Sequence, residues 1–180
     1  MDVIQRLKNK DEAALRELME QYGDYLLRTT VLLLRDRQAA EEAVQDTFIQ
    51  AFENISQLRD ADKLRSWLTR IAVNRCRMRQ RTWDWRHIFP NPRMDLHVDE
   101  VAPAAEEAMI HHWREGEMTK SIQQLPYTYR EVITLYYFNE LGVLEIADQL
   151  QLNVNTVKAR LMRGRNKLRQ MIMEMGESDG

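Results

Sequence analysis

The sequence predicts an all-α protein: two small helical domains joined by an acidic, proline-containing linker, the C-terminal one a helix-turn-helix. Three observations predict it. The 180 residues include only six glycines and four prolines, about half of an average usage of roughly 12%, and too few for a fold rich in tight turns. Neither residue occurs between Gly23 and Pro90. Apolar residues recur three and four apart, the helical period, and not in the alternation of a strand.

The elements follow in order. A first amphipathic helix carries Leu15, Leu18, Tyr22, Tyr25 and Leu26, continues toward Leu34, and has Asp11 as its cap. A second begins after Asp36 with Val44, Phe48, Phe52 and Ile55 on one face. A third runs from about Lys63 to Thr82 with Leu64, Trp67, Leu68, Ile71 and Met78 inward. These three stripes cover one another in a domain ending near Trp85. Residues 88–103 hold three of the four prolines and no apolar period, which reads as a linker. Order resumes near Met109. Leu125-Pro126 opens a helix with proline in its first turn, followed by Val132, Ile133, Leu135, Tyr136 and Phe138. Two shorter helices close the chain, Leu144 to Leu150 and Asn155 to about Met173.

Composition excludes several classes of function. One cysteine, Cys76, rules out an internal disulfide framework, argues against a four-ligand zinc site and fits a reducing compartment. The N-terminal residues lack an apolar signal core, and the longest apolar runs, such as Val31 to Leu34, are four residues. A cytoplasmic protein that is not itself a membrane protein is expected. There is no phosphate-binding glycine loop, deaminase zinc motif or nucleophile elbow, so no enzyme is expected and no cofactor. His111 and His112 are adjacent and point about 100° apart on a helix, a poor geometry for one metal. All four histidines are read as structural or solvent-facing.

Charge is informative only when the chain is divided. The formal net charge of -2 conceals two basic islands. Lys63 to Arg93 holds nine basic residues and one acid, Asp84, and Val157 to Met173 holds six basic residues and none acidic. Like charges kept this close call for an anionic partner.

The second island lies on a helix-turn-helix pattern. Ala147 sits where two helices approach, Ile146, Leu150, Leu152, Val157 and Leu161 are the buried set, and Asn155 or Thr156 caps the second helix. Its outward positions are Lys158, Arg160, Arg163, Arg165, Lys167 and Arg169. A solvated helical hairpin is the alternative, but ordinary surfaces mix both signs. In the first island Arg65, Arg70, Arg75, Arg77, Arg79, Arg81 and Arg86 form a ridge around one helix. Trp67 docks that helix to the core, while Trp83 and Trp85 at its end either anchor it or stack on bases. Such a ridge suits a single strand. Asn74 among the arginines is either an ordinary surface amide or a reader of a base edge. Glu41, Glu42, Gln45, Asp46 and Gln50 face away from the second helix's apolar stripe, toward water or a basic protein.

Three stretches in register then carry a family resemblance: Ala40-Glu41-Glu42-Ala43-Val44-Gln45-Asp46-Thr47-Phe48, Ser66-Trp67-Leu68-Thr69-Arg70-Ile71-Ala72-Val73-Asn74, and Thr156-Val157-Lys158-Ala159-Arg160. Together they resemble bacterial sigma factors of the extracytoplasmic-function (ECF) group, over nearly the whole chain. The resemblance implies a promoter-specificity subunit of RNA polymerase, with residues 1–87 as sigma domain 2, 88–112 as linker and 113–176 as sigma domain 4. Its implied partners are core polymerase, promoter DNA and an anti-sigma factor. It implies that Glu42, Gln45 and Asp46 grip the clamp helices of the large subunit. Trp67, Arg70, Asn74 and Arg77 would serve the minus-10 element, Asn74 above all. Thr156, Lys158, Ala159, Met162 and Arg163 would meet the minus-35 element, where two uncharged residues give shape a part beside hydrogen bonds. The chain departs from the family where Gly-Leu-Ser is common, having Glu140-Leu141-Gly142 and no serine cap. Val143-Leu144 replaces a more polar pair, and Asn155 stands in place of a glycine. Two other readings of the residues remain: an autonomous dimeric regulator on palindromic sites, and a helical adaptor whose basic faces bind acidic proteins.

Overall fold

A computed structural model describes residues 2–87 and 116–178, with side chains for 2–83 and 116–178. Among the described residues every regular element is helical. The chain divides into two compact units, Met1–Asn91 and Pro92–Gly180. The expected linker, its acidic residues, the start of order near Met109, the histidine pair and the side chains of Trp85 and Arg86 lie outside the described residues.

The first unit comprises α1 (Val3–Lys8), α2 (Glu12–Leu34), α3 (Arg37–Glu53) and α4 (Leu64–His87), with two short 3-10 turns, Ile55–Gln57 and Ala61–Lys63, between α3 and α4. Helices α2, α3 and α4 pack on one another pairwise. Leu18, Leu26, Phe48, Ile55, Leu64, Leu68 and Ile71 form the core between them, with Tyr22, Tyr25, Val44, Phe52 and Trp67 partly buried against it. Ala40, Ala43 and Ala51 on α3 are wholly buried, and these small side chains let α3 lie close. Thr30 Oγ1 donates to the Ala40 carbonyl oxygen at 3.2 Å, tying α2 to α3. As expected, Asp11 caps α2, its Oδ1 accepting from the Ala13 N–H at 2.9 Å. Asp36 does the same for α3.

The short α1 is not among the helices that the apolar periods predict. It buries Ile4 and Leu7. Its Arg6 bridges Asp11 at 2.8 Å and Glu17 at 2.7 Å, and that hydrogen bond, helped by the Ala13 N–H, holds the Asp11 carboxyl below the ordinary aspartate range. Lys10 reaches across to the end of α3, its Nζ donating to the Phe52 carbonyl at 2.6 Å and satisfying one of the oxygens a helix end leaves open.

Met78 corrects the expectation of an inward residue, being 56% exposed. The buried face of α4 ends at Cys76, and beyond it the inward direction is taken by Arg79, which pairs with α3.

In the second unit, α5 (Glu117–Gln124) leads to α6 (Tyr127–Ile133), which continues as a π-helical turn over Thr134–Phe138. Then come α7 (Val143–Leu150) and α8 (Val154–Ser178). Pro126 precedes the first turn of α6, and its carbonyl accepts from the Tyr129 and Arg130 N–H groups at 3.0 and 2.9 Å. Val132, Ile133 and Leu135 are buried, whereas Tyr136 and Phe138 are half-buried. Ile122, Ile146, Leu150, Val157, Leu161 and Leu168 complete this core. Gly164 brings α8 onto α6: a Cβ there would stand 2.8 Å from Ile133 Cγ1.

Two details of the helix-turn-helix differ from expectation. The cap of α8 is Asn153, whose Oδ1 accepts from the Asn155 N–H at 2.9 Å, so the helix starts a residue before Asn155. It then runs 25 residues and is not short. The missing serine is replaced by Gly142, which caps α7 without a side-chain bond. At the other end of α7, Gln151 takes a left-handed conformation (φ 54°), and the Leu152 N–H reaches back to the Ala147 carbonyl at 2.9 Å.

Candidate functional site

Helical spacing sorts the arginines of α4 by face. Trp67, Arg70, Asn74, Arg77 and Arg81 follow at three- and four-residue steps and so share one stripe. Asn74 and Arg81 on it are exposed, Trp67, Arg70 and Arg77 half-buried. Met78, the only exposed apolar residue of this stripe among the described residues, lies one turn past Asn74. The four residues singled out on this helix are therefore brought together.

The rest of the expected ridge is turned elsewhere. Arg65 lies over the Tyr25 ring at 4.4 Å. Arg75 Nε donates to Gln50 Oε1 at 2.9 Å. Arg79 bridges Glu42 at 3.0 Å and Asp46 at 3.3 Å. The acidic face of α3 and part of the basic helix α4 thus neutralise each other, a relation that the separate stripes did not reveal. Glu42 and Gln45 remain exposed and Asp46 half-buried, and Ile49, 56% exposed, continues their stripe one turn on.

On α8 the buried line is Val157, Leu161, Gly164 and Leu168. Diametrically across the helix lie Ala159, Met162 and Asn166, with Lys158 and Arg169 along one flank and Arg163 along the other. Thr156 stands in the first turn. Asn166 is not among the residues expected at the duplex, although its place four residues after Met162 is a legible signal. Two expected outward bases point differently. Arg160 is drawn inward, with a side chain 14% exposed and 3.9 Å from Glu131, itself 2% exposed. Arg165 sits at the side of the helix, its Nε donating to Tyr137 Oη and its guanidinium over the rings of Tyr136 and Tyr137 at 5.2 and 5.5 Å. Lys167 lies over Tyr129 at 6.0 Å.

The result is a rigid helix with a mostly uncharged central strip between basic flanks, fit for a duplex groove with phosphates on either wall. The α4 stripe, an amide among cations beside a tryptophan, fits an unpaired strand. Among the described residues no three His, Cys, Asp or Glu side chains gather to hold a metal ion, and no helix is long and apolar enough to cross a membrane.

Comparison with known proteins agrees with this division. Residues 18–86 match the family described as Sigma-70 region 2, and residues 115–168 match Sigma-70, region 4. The chain is 30% identical to the ECF RNA polymerase sigma factor SigW of Bacillus subtilis, over 96% of each chain. It is 27% identical to the RNA polymerase sigma-H factor of Pseudomonas aeruginosa, over 92% of this chain and 90% of that one. Among solved structures its fold resembles CnrH in complex with the cytosolic domain of CnrY, with a TM-score of 0.64 at 22% identity over 96% of each chain. It also resembles the sigma factor RpoE of Bartonella quintana in complex with the anti-sigma factor NepR, with a TM-score of 0.65 at 20% identity over 88% of this chain and 96% of that one. With both sigma-70 regions matched in order and such a relative along almost its whole length, the chain belongs to the ECF group of RNA polymerase sigma factors.

Proposed function

We propose that this sigma factor divides promoter recognition among three surfaces. Glu42, Gln45 and Asp46 on α3 dock on the clamp helices of the large polymerase subunit. Trp67, Arg70, Asn74 and Arg77 on α4 hold the unpaired strand of the minus-10 element, with Asn74 reading a captured base. Thr156, Lys158, Ala159, Met162 and Arg163 on α8 meet the minus-35 duplex in its major groove. In this reading residues 1–87 are sigma domain 2, 113–176 are sigma domain 4, and 88–112 link them. Sigma factors are initiation factors and not enzymes in themselves; the energy for strand separation comes from binding. Stacking and phosphate contacts to the captured strand offset the loss of about 1 to 2 kcal/mol per unstacked base step.

The observation that carries the reading is the α4 stripe: an exposed amide flanked by arginines on a helix whose opposite face is fixed in the core. Work on DNA implies the cytoplasm. An anti-sigma factor that masks one of these surfaces is part of the proposal, on the strength of a fold neighbour bound to such a regulator. Run-off transcription with core polymerase, with and without the chain, tests the whole. Transcripts from a defined start are expected only with the chain present. Asn74→Ala is expected to lower them by tenfold or more at unchanged core affinity, whereas E42Q/D46N weakens core binding first. Sequence-specific initiation that ignored Asn74 would remove the minus-10 assignment.

A further inference from the structure

The basic residues of the two units fall into those whose charge is already spoken for and those whose charge is not. Arg79 is bound by two carboxylates and Arg160 faces the buried Glu131. Arg165 is held differently. It is half-buried, its Nε–H is used on Tyr137 Oη, and two aromatic rings lie against its guanidinium. Among the described residues no carboxylate pairs with it. Tyr136 and Tyr137 are themselves locked edge to face, with centroids 4.9 Å apart and planes at 73°. Both belong to the π-helical turn Thr134–Phe138, a local widening of the helix of a kind common at functional sites.

Aromatic stacking fixes the direction of a guanidinium without neutralising it, and the remaining N–H groups of the fork keep the geometry that matches two oxygens of a phosphate. Arg165 also has suitable neighbours. Lys158, Arg165 and Arg169 lie within a narrow sector of α8, on the flank beside Ala159 and Met162. At a rise of about 1.5 Å per residue, the gaps between them along the axis are about 10 Å and about 6 Å, so together they span more than one phosphate of a strand.

We propose that Arg165, oriented by Tyr136 and Tyr137, is a backbone-phosphate contact that seats α8 in the groove of the duplex. The tyrosines are positioning residues and the guanidinium is the ligand-binding group. The contact rests on the reading of α8 as the helix that enters the minus-35 duplex. It adds affinity and register without reading sequence, because phosphates are alike at every step.

The test is fluorescence anisotropy of the full chain with a labelled mixed-sequence 30-base-pair duplex, titrated from about 50 to 200 mM salt. Each lost phosphate contact makes the negative slope of log K against log salt shallower by about 0.9. Arg165→Met, which keeps the packing and removes the charge, is expected to weaken binding about fivefold at the lowest salt and to make the slope shallower by about 0.9. Arg165→Lys keeps the slope but loses about threefold in affinity. Tyr137→Phe does likewise, since the charge remains and only its aim is loosened. An Arg165→Met slope equal to that of the wild type, with only thermal stability reduced, would make Arg165 a structural residue and overturn the proposal. Lys158→Gln separates the Arg165 contact from the placement of α8 on the duplex. If it makes the slope shallower and Arg165→Met does not, the Arg165 contact alone is wrong; if neither changes it, α8 does not meet the duplex at all.

Discussion

The Asp11 carboxylate is a small stabilising device whose pH dependence follows from its partners. Arg6 and the Ala13 N–H favour its charged form, so its titration in the folded chain lies below the ordinary aspartate value of about 3.9. A carboxylate lowered in this way stabilises the fold fully above that ordinary value. The contribution disappears as pH falls through the lowered one. Arg6→Met is therefore expected to reduce stability near neutral pH, and the gap to the wild type narrows as pH falls below the aspartate range. Urea unfolding at neutral and acid pH measures it. A second residue, Gln151, ends α7 with φ at 54°, where glycine is free of the steric cost that a side chain carries. Its amide recovers a little by donating to the Asp148 carbonyl at 2.6 Å. Gln151→Gly is expected to raise stability by about 0.5 to 1 kcal/mol in the same assay. Neither residue stands out in a sequence: Asp11 is legible as a cap, but its arginine partner depends on α1, whose six residues carry too few apolar positions to show a period.

Glycines within helices show how packing overrides propensity at the scale of elements. Gly23 in α2 has open space where a Cβ would go, whereas at Gly164 a Cβ would press on Ile133 and Tyr129. Gly23→Ala is expected to stabilise by about 0.5 to 1 kcal/mol through helix propensity alone. Gly164→Ala gains the same propensity but overpacks the α6–α8 contact at a branched side chain, so it is expected to destabilise by about 1 kcal/mol net. Paired denaturant melts of the two variants decide it, and a stabilised Gly164→Ala would mean that α6 gives way freely. The helices themselves were legible because their apolar periods are long and almost free of breakers. The pairing of Arg79 with Glu42 and Asp46 was not, because a stripe states which residues share a face and not which neighbouring helix covers it. Arg160 misled for the same reason: as one more base in an acid-free run it resembles its neighbours, and only the buried Glu131 of α6 distinguishes it. The Met78 expectation failed because Met78 shares the outward stripe of Asn74, while at its level Arg79 takes the inward direction toward α3.

For the whole molecule the decisive quantity is the linkage of two modest binding surfaces in one chain. The α4 stripe and α8 belong to different compact units, and in the proposed function each meets its own promoter element. Surfaces joined in one chain and engaged at once bind with an effective concentration set by the connection, which raises avidity by about 10²- to 10⁴-fold over separate pieces without any new contact. That gain is a property of covalent continuity, so it can be removed without touching a single contacting residue. A chain with a protease site inserted between the two units, tested in run-off transcription with core polymerase before and after cleavage, isolates it. Cleavage is expected to lower transcript yield at limiting chain concentration by at least tenfold. Raising the concentration of the cleaved pieces should restore much of the loss, because mass action replaces the lost linkage. A yield insensitive to cleavage would mean that one unit alone carries promoter choice, and the two basic islands would then have separate purposes.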